Sequence, residues 1–241
     1  MISELRPTIC LFDAFRFVLA HRWSCLIRAV PIILITGIMA FLETSILAAT
    51  EYFTLVMREI LYAIFAVFWH RYVLRPDLRA QMGFGLAFGL REIKFAAALL
   101  VFVVTSYLLG RSLAGAVGVS SISSVFVVIA VVYLAFLPFI FLFPAIALDQ
   151  PLQIGVFARR ILDMIVPLVG TIFMGFVAVV GISILLYLPG ILIALRNPDL
   201  GDLVIFLTSS FVIAPFVLAV TITFVSFLYR QSLGVVIVDP A

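Results

Sequence analysis

Residues 165–195 read IVPLVGTIFMGFVAVVGISILLYLPGILIAL, a run of 31 residues without one charged side chain. A helix of that length, at ~1.5 Å per residue, exceeds the roughly 30 Å hydrocarbon core of a bilayer. The rest of the chain matches it in character: 66% of residues are hydrophobic, 11% are charged and mean hydropathy is +1.34. A soluble domain of this size cannot hide so much apolar surface from water, so the solvent for this chain is a bilayer.

Outward from this run the pattern recurs. Further apolar runs of spanning length occupy 26–49, 53–74, 95–117, 125–148 and 203–229. Basic amphipathic segments at 8–24, 75–94 and 152–164 introduce them in pairs. In the first segment Leu11, Phe12, Phe15, Val18 and Leu19 recur at helical spacing, with Asp13, Arg16 and Ala20 on the other face. Such segments are too short and too charged to span, and read as interfacial helices. The stretches HRWSCLIRAVPIILITGI, LREIKFAAALLVFVVT and RRILDMIVPLVGTIFM, starting at His21, Leu90 and Arg159, repeat this pattern with little identity. The expected fold is all-α: one integral membrane domain over 1–241, with six transmembrane helices in three antiparallel hairpins and amphipathic interfacial helices on the cytoplasmic face.

Under this threading twelve of the fifteen basic residues share one side: Arg6, Arg16, Arg22, Arg28, Arg71, Arg75, Arg79, Arg91, Lys94, Arg159, Arg160 and Arg230. Arg58, Arg111 and Arg196 lie toward the other. The excess of Lys and Arg on cytoplasmic loops then places both termini in the cytoplasm. The opening MISELRPTICLFDAF lacks the brief apolar core and small-residue cleavage site of a signal peptide, so the first crossing is expected to direct insertion. Cys10 and Cys25 fall on the side where thiols stay reduced, and no neighbouring His makes a zinc pattern.

Several functions lose support at this level. The net charge of +3 is spread along the edges of apolar runs, with no basic block for nucleic acid. The sequence has no phosphate-gripping glycine loop ending in Lys-Ser/Thr, no HExxH and no GxSxG. No cofactor or metal is expected.

Two groups of residues stand out. Glu43 and Arg58 are equally far from the turn near 50 and 51, so in an antiparallel hairpin each lies roughly 11 Å below it. A cross-helix ion pair with Glu59 near the same level is one reading. An external helical turn over 43–59 is another, and a transport or proton role a third. The second group comprises Arg16, Arg22, Trp23, Arg28, Trp69, His70, Arg71, Arg159 and Arg160. These read as contacts to the interface or to lipid headgroups, with His70 in an aromatic and basic border.

Three segments carry a resemblance: DAFRFVLAHRWSCLIRA (13–29), FWHRYVL (68–74) and FLFPAIALDQPLQIGVFARRILD (141–163). They resemble a poorly characterised group of bacterial six-helix inner-membrane proteins, similar to the membrane region of some glycerophosphoryl diester phosphodiesterases. The resemblance covers most of the chain and implies a bacterial inner membrane. It carries over no catalytic residue, since that chemistry belongs to a soluble domain. The expectation is a non-enzymatic, envelope- or lipid-related protein, a scaffold or lipid handler. Its partners are expected to be anionic membrane lipids, with a protein partner or a second copy also possible. A small transporter or flippase for a lipid-like substrate and a membrane-embedded lipid-modifying enzyme are the alternatives. For the transporter, Thr36, Thr105, Ser106, Tyr107, Tyr133, Ser183, Thr221 and Thr223 are the polar groups available for a path.

Overall fold

The computed structural model describes residues 6–45, 51–82, 89–117, 131–132 and 134–233, and every element among them is helical. In chain order these are α1 (Pro7–Ala20), α2 (Arg22–Ser45), α3 (Glu51–Leu74), a 3-10 turn at Pro76–Gln81 and α4 (Leu90–Val117). A shorter apolar stretch, Leu134–Ala147, contains a 3-10 turn (Leu137–Phe139) and α5 (Leu142–Ala147). Then follow α6 (Ile154–Asp163), α7 (Ile165–Ala194), α8 (Pro198–Thr208), a π turn (Ser209–Ile213) and α9 (Ala214–Leu233).

Among the described residues three helical stretches are long and apolar enough to cross a membrane: Leu90–Leu113, Ile165–Ala194 and Pro198–Ser232. A fourth is added if α1 and the first part of α2, bent by 80°, count as one broken span. Six such spans are not shown among the described residues. The expected crossing at 53–74 lies within α3, where Arg58, Glu59 and Arg71 dilute the apolar run. The expected crossing at 125–148 falls partly outside the described residues and is broken by the turn at Pro138. Arg91 to Lys94, expected in a separate interfacial segment, form the first turn of α4 itself. That turn is capped by Glu92, whose carboxylate accepts the Gly89 backbone N–H at 2.9 Å.

The core is built around α3 and α9. From Leu61 to Leu74 α3 is buried on nearly every side, as expected of a helix that is apolar all round. Ala219, Val220, Ile222, Phe224, Leu228 and Tyr229 of α9 pack into the same core. α1 crosses α9, with Phe15 on Phe216 at 5.9 Å and Phe17 on Phe227 at 5.8 Å between ring centres. It turns Cys10, Leu11, Ala14 and Val18 inward. That stripe differs from the one read in the sequence, because Phe12 and Leu19 point away from the bundle.

α7 contrasts with α3. Only Leu168, Thr171 and Gly190 are buried, and Val166 is 80% exposed. Exposure of that much aliphatic surface suits hydrocarbon and no aqueous surface. α7 meets α8 through a turn at Arg196 and Asn197, where the Asn197 side chain caps α8 by accepting the Leu200 N–H at 3.1 Å. Pro198 occupies the first turn, where its missing N–H is not needed. The helices run antiparallel in close contact: Gly190 lies against Ile205 and Gly201 against Ala194. A Cβ on Gly190 would sit 2.6 Å from Ile205 Cγ1.

A Cβ on Gly201 would collide with the backbone and Cβ of Ala194, which has no flexible end to move aside. Gly201→Ala should therefore cost about 1–3 kcal/mol through overpacking. Thermal unfolding in detergent checks this, with Gly181→Ala, which meets open space, as the comparison expected to show little change.

Candidate functional site

The polar groups of the bundle gather at one end, where the last turns of α3 and α9 meet α1, α2 and α6. The framework is a ladder of rings. Phe65, Trp69 and Tyr72 stack in near-parallel succession, at 5.9 and 5.1 Å between centres. Phe17 of α1 meets Trp69 and Tyr72 edge-on, and His21 at the α1–α2 bend stacks on Phe17 at 4.2 Å. On the α6 side Phe141, Phe157 and Tyr229 form a second ring cluster, and the Tyr229 hydroxyl donates to Gln150 Oε1.

Two buried bonds join α3 to α9. The Trp69 Nε1–H donates to Thr223 Oγ1 at 2.8 Å, and the Thr223 hydroxyl donates to the Ala219 carbonyl at 2.7 Å. His70 Nδ1 lies 2.8 Å from Ser226 Oγ, which itself lies 2.8 Å from the Ile222 carbonyl. A hydroxyl has one hydrogen. With it directed at the Ile222 carbonyl, Ser226 accepts from a His70 that carries its hydrogen on Nδ1; the other tautomer reverses the bond. The first direction is the reverse of a serine activated by histidine, where the imidazole must accept the hydroxyl proton.

The sequence placed Trp69 and His70 at the membrane border. In the fold both face inward, 0% and 2% exposed. Their partners lie more than 150 residues away, so local pattern gave no sign of them. The remaining signal was Thr223 and Ser226 three apart on an apolar helix, which puts two hydroxyls on one face. Thr223, expected among groups lining a transport path, is committed to Trp69 and Ala219. Thr105 and Tyr107 are exposed.

Other expected contacts divide. Trp23 is 66% exposed, and Arg16, Arg22 and Arg159 are exposed. Arg28, Arg71 and Arg160 are half-buried. Arg28 lies over the Phe68 ring at 4.7 Å and the Tyr72 ring at 5.3 Å. Arg79, not singled out by the sequence, lies over Tyr72 at 5.1 Å and Phe17 at 5.2 Å. Arg58 contacts Glu59 at 3.6 Å, and the side chain of Glu43 lies outside the described residues. Cys10 and Cys25 are free and buried. Among the described residues no group of three His, Cys, Asp or Glu could hold a metal ion.

At the α5–α6 connection Asp149 adopts a left-handed φ of 54° and accepts two hydrogen bonds from Arg91. The Arg91 hydrogen bonds hold the Asp149 carboxyl below its ordinary value. Comparison with protein-family models, curated proteins and solved structures gives no match.

Ser226→Ala leaves His70 Nδ1 without its partner in a buried site and should cost about 1–3 kcal/mol. His70→Phe combined with Ser226→Ala removes donor and acceptor together, and is expected to cost less than the sum of the single changes. Thermal unfolding of the three variants decides this. For Asp149, a lowered carboxyl pKa means stability present above the unfolded value of about 3.8 and lost as pH falls through the folded one. The pair is exposed, so the gain is below about 1 kcal/mol. Asp149→Asn keeps a residue that tolerates positive φ; its deficit at pH 7 should vanish when both proteins are melted near pH 2.

Proposed function

We propose a multi-pass integral protein of a bacterial inner membrane, crossing six times in three antiparallel hairpins with both termini cytoplasmic. It works without catalysis, organising or handling anionic lipid at its cytoplasmic face. The observation that carries this reading is α6. That helix turns Phe157 and Ile161 into the bundle, exposes Ile154 and Leu162 on an adjoining flank, and places Arg159 and Arg160 on the third. A helix divided in this way suits the boundary between acyl chains and headgroups.

Other features support it. α6 packs on Tyr229, and α1 reaches the neighbouring Phe227 as well as Phe216 nearer the start of α9. α1 leaves α2 at 80°, as a helix in the membrane plane would leave a crossing one. The resemblance of 13–29, 68–74 and 141–163 to bacterial inner-membrane proteins points the same way. Each Lys or Arg near an anionic surface adds roughly 1 kcal/mol of attraction.

A second reading, movement of a lipid-like substrate, draws on the π turn at Ser209–Ile213. The Ala214 N–H there reaches back to the Ser209 carbonyl, and Pro215 follows at once. Such breaks are frequent at functional hinges.

Two measurements test the first reading. A cysteine introduced as Arg196→Cys should react with an impermeant maleimide in intact cells; reaction only after permeabilisation would reverse the topology. The purified protein should enter phosphatidylglycerol-containing vesicles in preference to neutral ones at low salt, and Arg159→Gln with Arg160→Gln should halve that preference or more. Equal association with both vesicle types would refute a role with anionic lipid.

A further inference from the structure

We propose that Arg28 and Arg79, set against the Tyr72 ring, form a site for one phosphate oxyanion. The proposal rests on the membrane reading above and names the group that its basic end takes.

Among the described residues three arginines have carboxylate partners, and Arg230 lies over the single Phe227 ring at 5.4 Å. Arg58 has Glu59 at 3.6 Å, Arg75 has Asp77 at 2.7 Å, and Arg91 has Asp149. Arg28 and Arg79 are both half-buried, yet neither meets a carboxylate among the described residues. They meet ring faces and carbonyls instead. Arg28 donates from Nη1 to the Ser24 carbonyl at 3.0 Å and from Nη2 to the Met82 carbonyl at a long 3.4 Å. Arg79 donates from Nε to the Tyr72 carbonyl at 2.7 Å. Ring faces and carbonyls attract a cation without cancelling its charge. Among the described residues, then, two guanidinium groups lie on one ring with no carboxylate in ion-pair contact.

A second observation concerns a single atom. Arg28 Nε is shut off from solvent and has no hydrogen-bond partner. An unsatisfied donor on a charged group is among the more costly defects a fold can carry. An acceptor from outside the chain removes it.

The position identifies the acceptor's chemistry. One turn before Arg28 on α2, Trp23 and Leu26 are exposed, and Ile27 beside it is 50% exposed. The chain has just turned through 80° from α1. Arg28 thus stands where the apolar run begins, which on the membrane reading is the level of headgroup phosphates. A phosphate brings at least one negative charge and unesterified oxygens spaced for a planar guanidinium. A lipid headgroup and a free phosphate share that chemistry.

The test uses the full chain purified in detergent. The wild type, Arg28→Gln, Arg79→Gln and the double variant are each titrated with short-chain phosphatidylglycerol, short-chain phosphatidylcholine and inorganic phosphate. Binding is read by native mass spectrometry and by the rise in melting temperature. The expected result is one tightly held phosphatidylglycerol per chain, weakened about tenfold or more by each substitution. Arg28→Lys keeps the charge but has no Nε and should also weaken binding, and it guards against misfolding of the glutamine variants. Binding of inorganic phosphate alone, lost in the same variants, supports the oxyanion site and assigns its source to solution. Undiminished binding in a folded double variant overturns the site. If phosphatidylglycerol binding then depends on Arg159 and Arg160 instead, the lipid reading survives without it. If the wild type binds no anion at all, both fall.

Discussion

In hydrocarbon a polar group has no water to fall back on, so each one must find its partner inside the protein. The end of the bundle around Trp69 and His70 follows from that constraint. An indole N–H and an imidazole Nδ1 on α3 have to be met, and α9 supplies hydroxyls three residues apart to meet them. Each hydroxyl is held by a carbonyl one turn back on its own helix. With the hydroxyl hydrogen so directed, the lone pairs face α3. Two such bonds, one turn apart, set both the rotation and the axial register of α3 against α9. Aromatic stacking alone would permit sliding; directed hydrogen bonds do not.

The remaining elements fit around this seam. α1 crosses α9 with small or narrow residues inward, Cys10, Ala14 and Val18, which lets the helix axes approach. α7 takes almost no part in the core and meets the bundle through Leu168 and the Thr171–Thr8 hydroxyl contact at 3.2 Å. A helix so lightly held is oriented by its neighbour α8, where Gly190 and Gly201 remove the side chains that would keep the two apart. Close contact at small residues is the means of association left to helices when no hydrophobic force acts between them.

This division explains what the sequence disclosed. The bounds of α7 were legible almost to the residue, because a long uncharged run between Met164 and Arg196 has one physical reading. The amphipathic α6 was legible as well, since Arg159 falls opposite the buried Phe157 and Ile161 and Arg160 lies at the edge of that face. α3 was harder. Arg58, Glu59 and Arg71 interrupt its apolar run, while its second half is the most enclosed part of the described structure. The segment FWHRYVL looks the same whether its rings face headgroups or a partner helix. Only the long-range partners decide, and a single sequence carries no record of them. Arg79 escaped notice for a similar reason, as its ring contacts come from α1 and α3.

The basic end of the bundle is therefore two structures laid over one another. Deeper in, Trp69 and His70 are matched by Thr223 and Ser226 within the chain. Nearer the surface, arginines are settled unequally: some lie on carboxylates, others on rings. A carboxylate partner makes an arginine electrostatically inert toward a third group, because the pair is already neutral. A ring partner leaves the full charge, lowers its cost of partial desolvation, and holds the guanidinium plane in place. The ring-held arginines are thus the ones already oriented for an oxyanion, and the ordering cost of binding has been met by the fold. Aromatic faces in place of acids hold Arg28 and Arg79 without neutralising them.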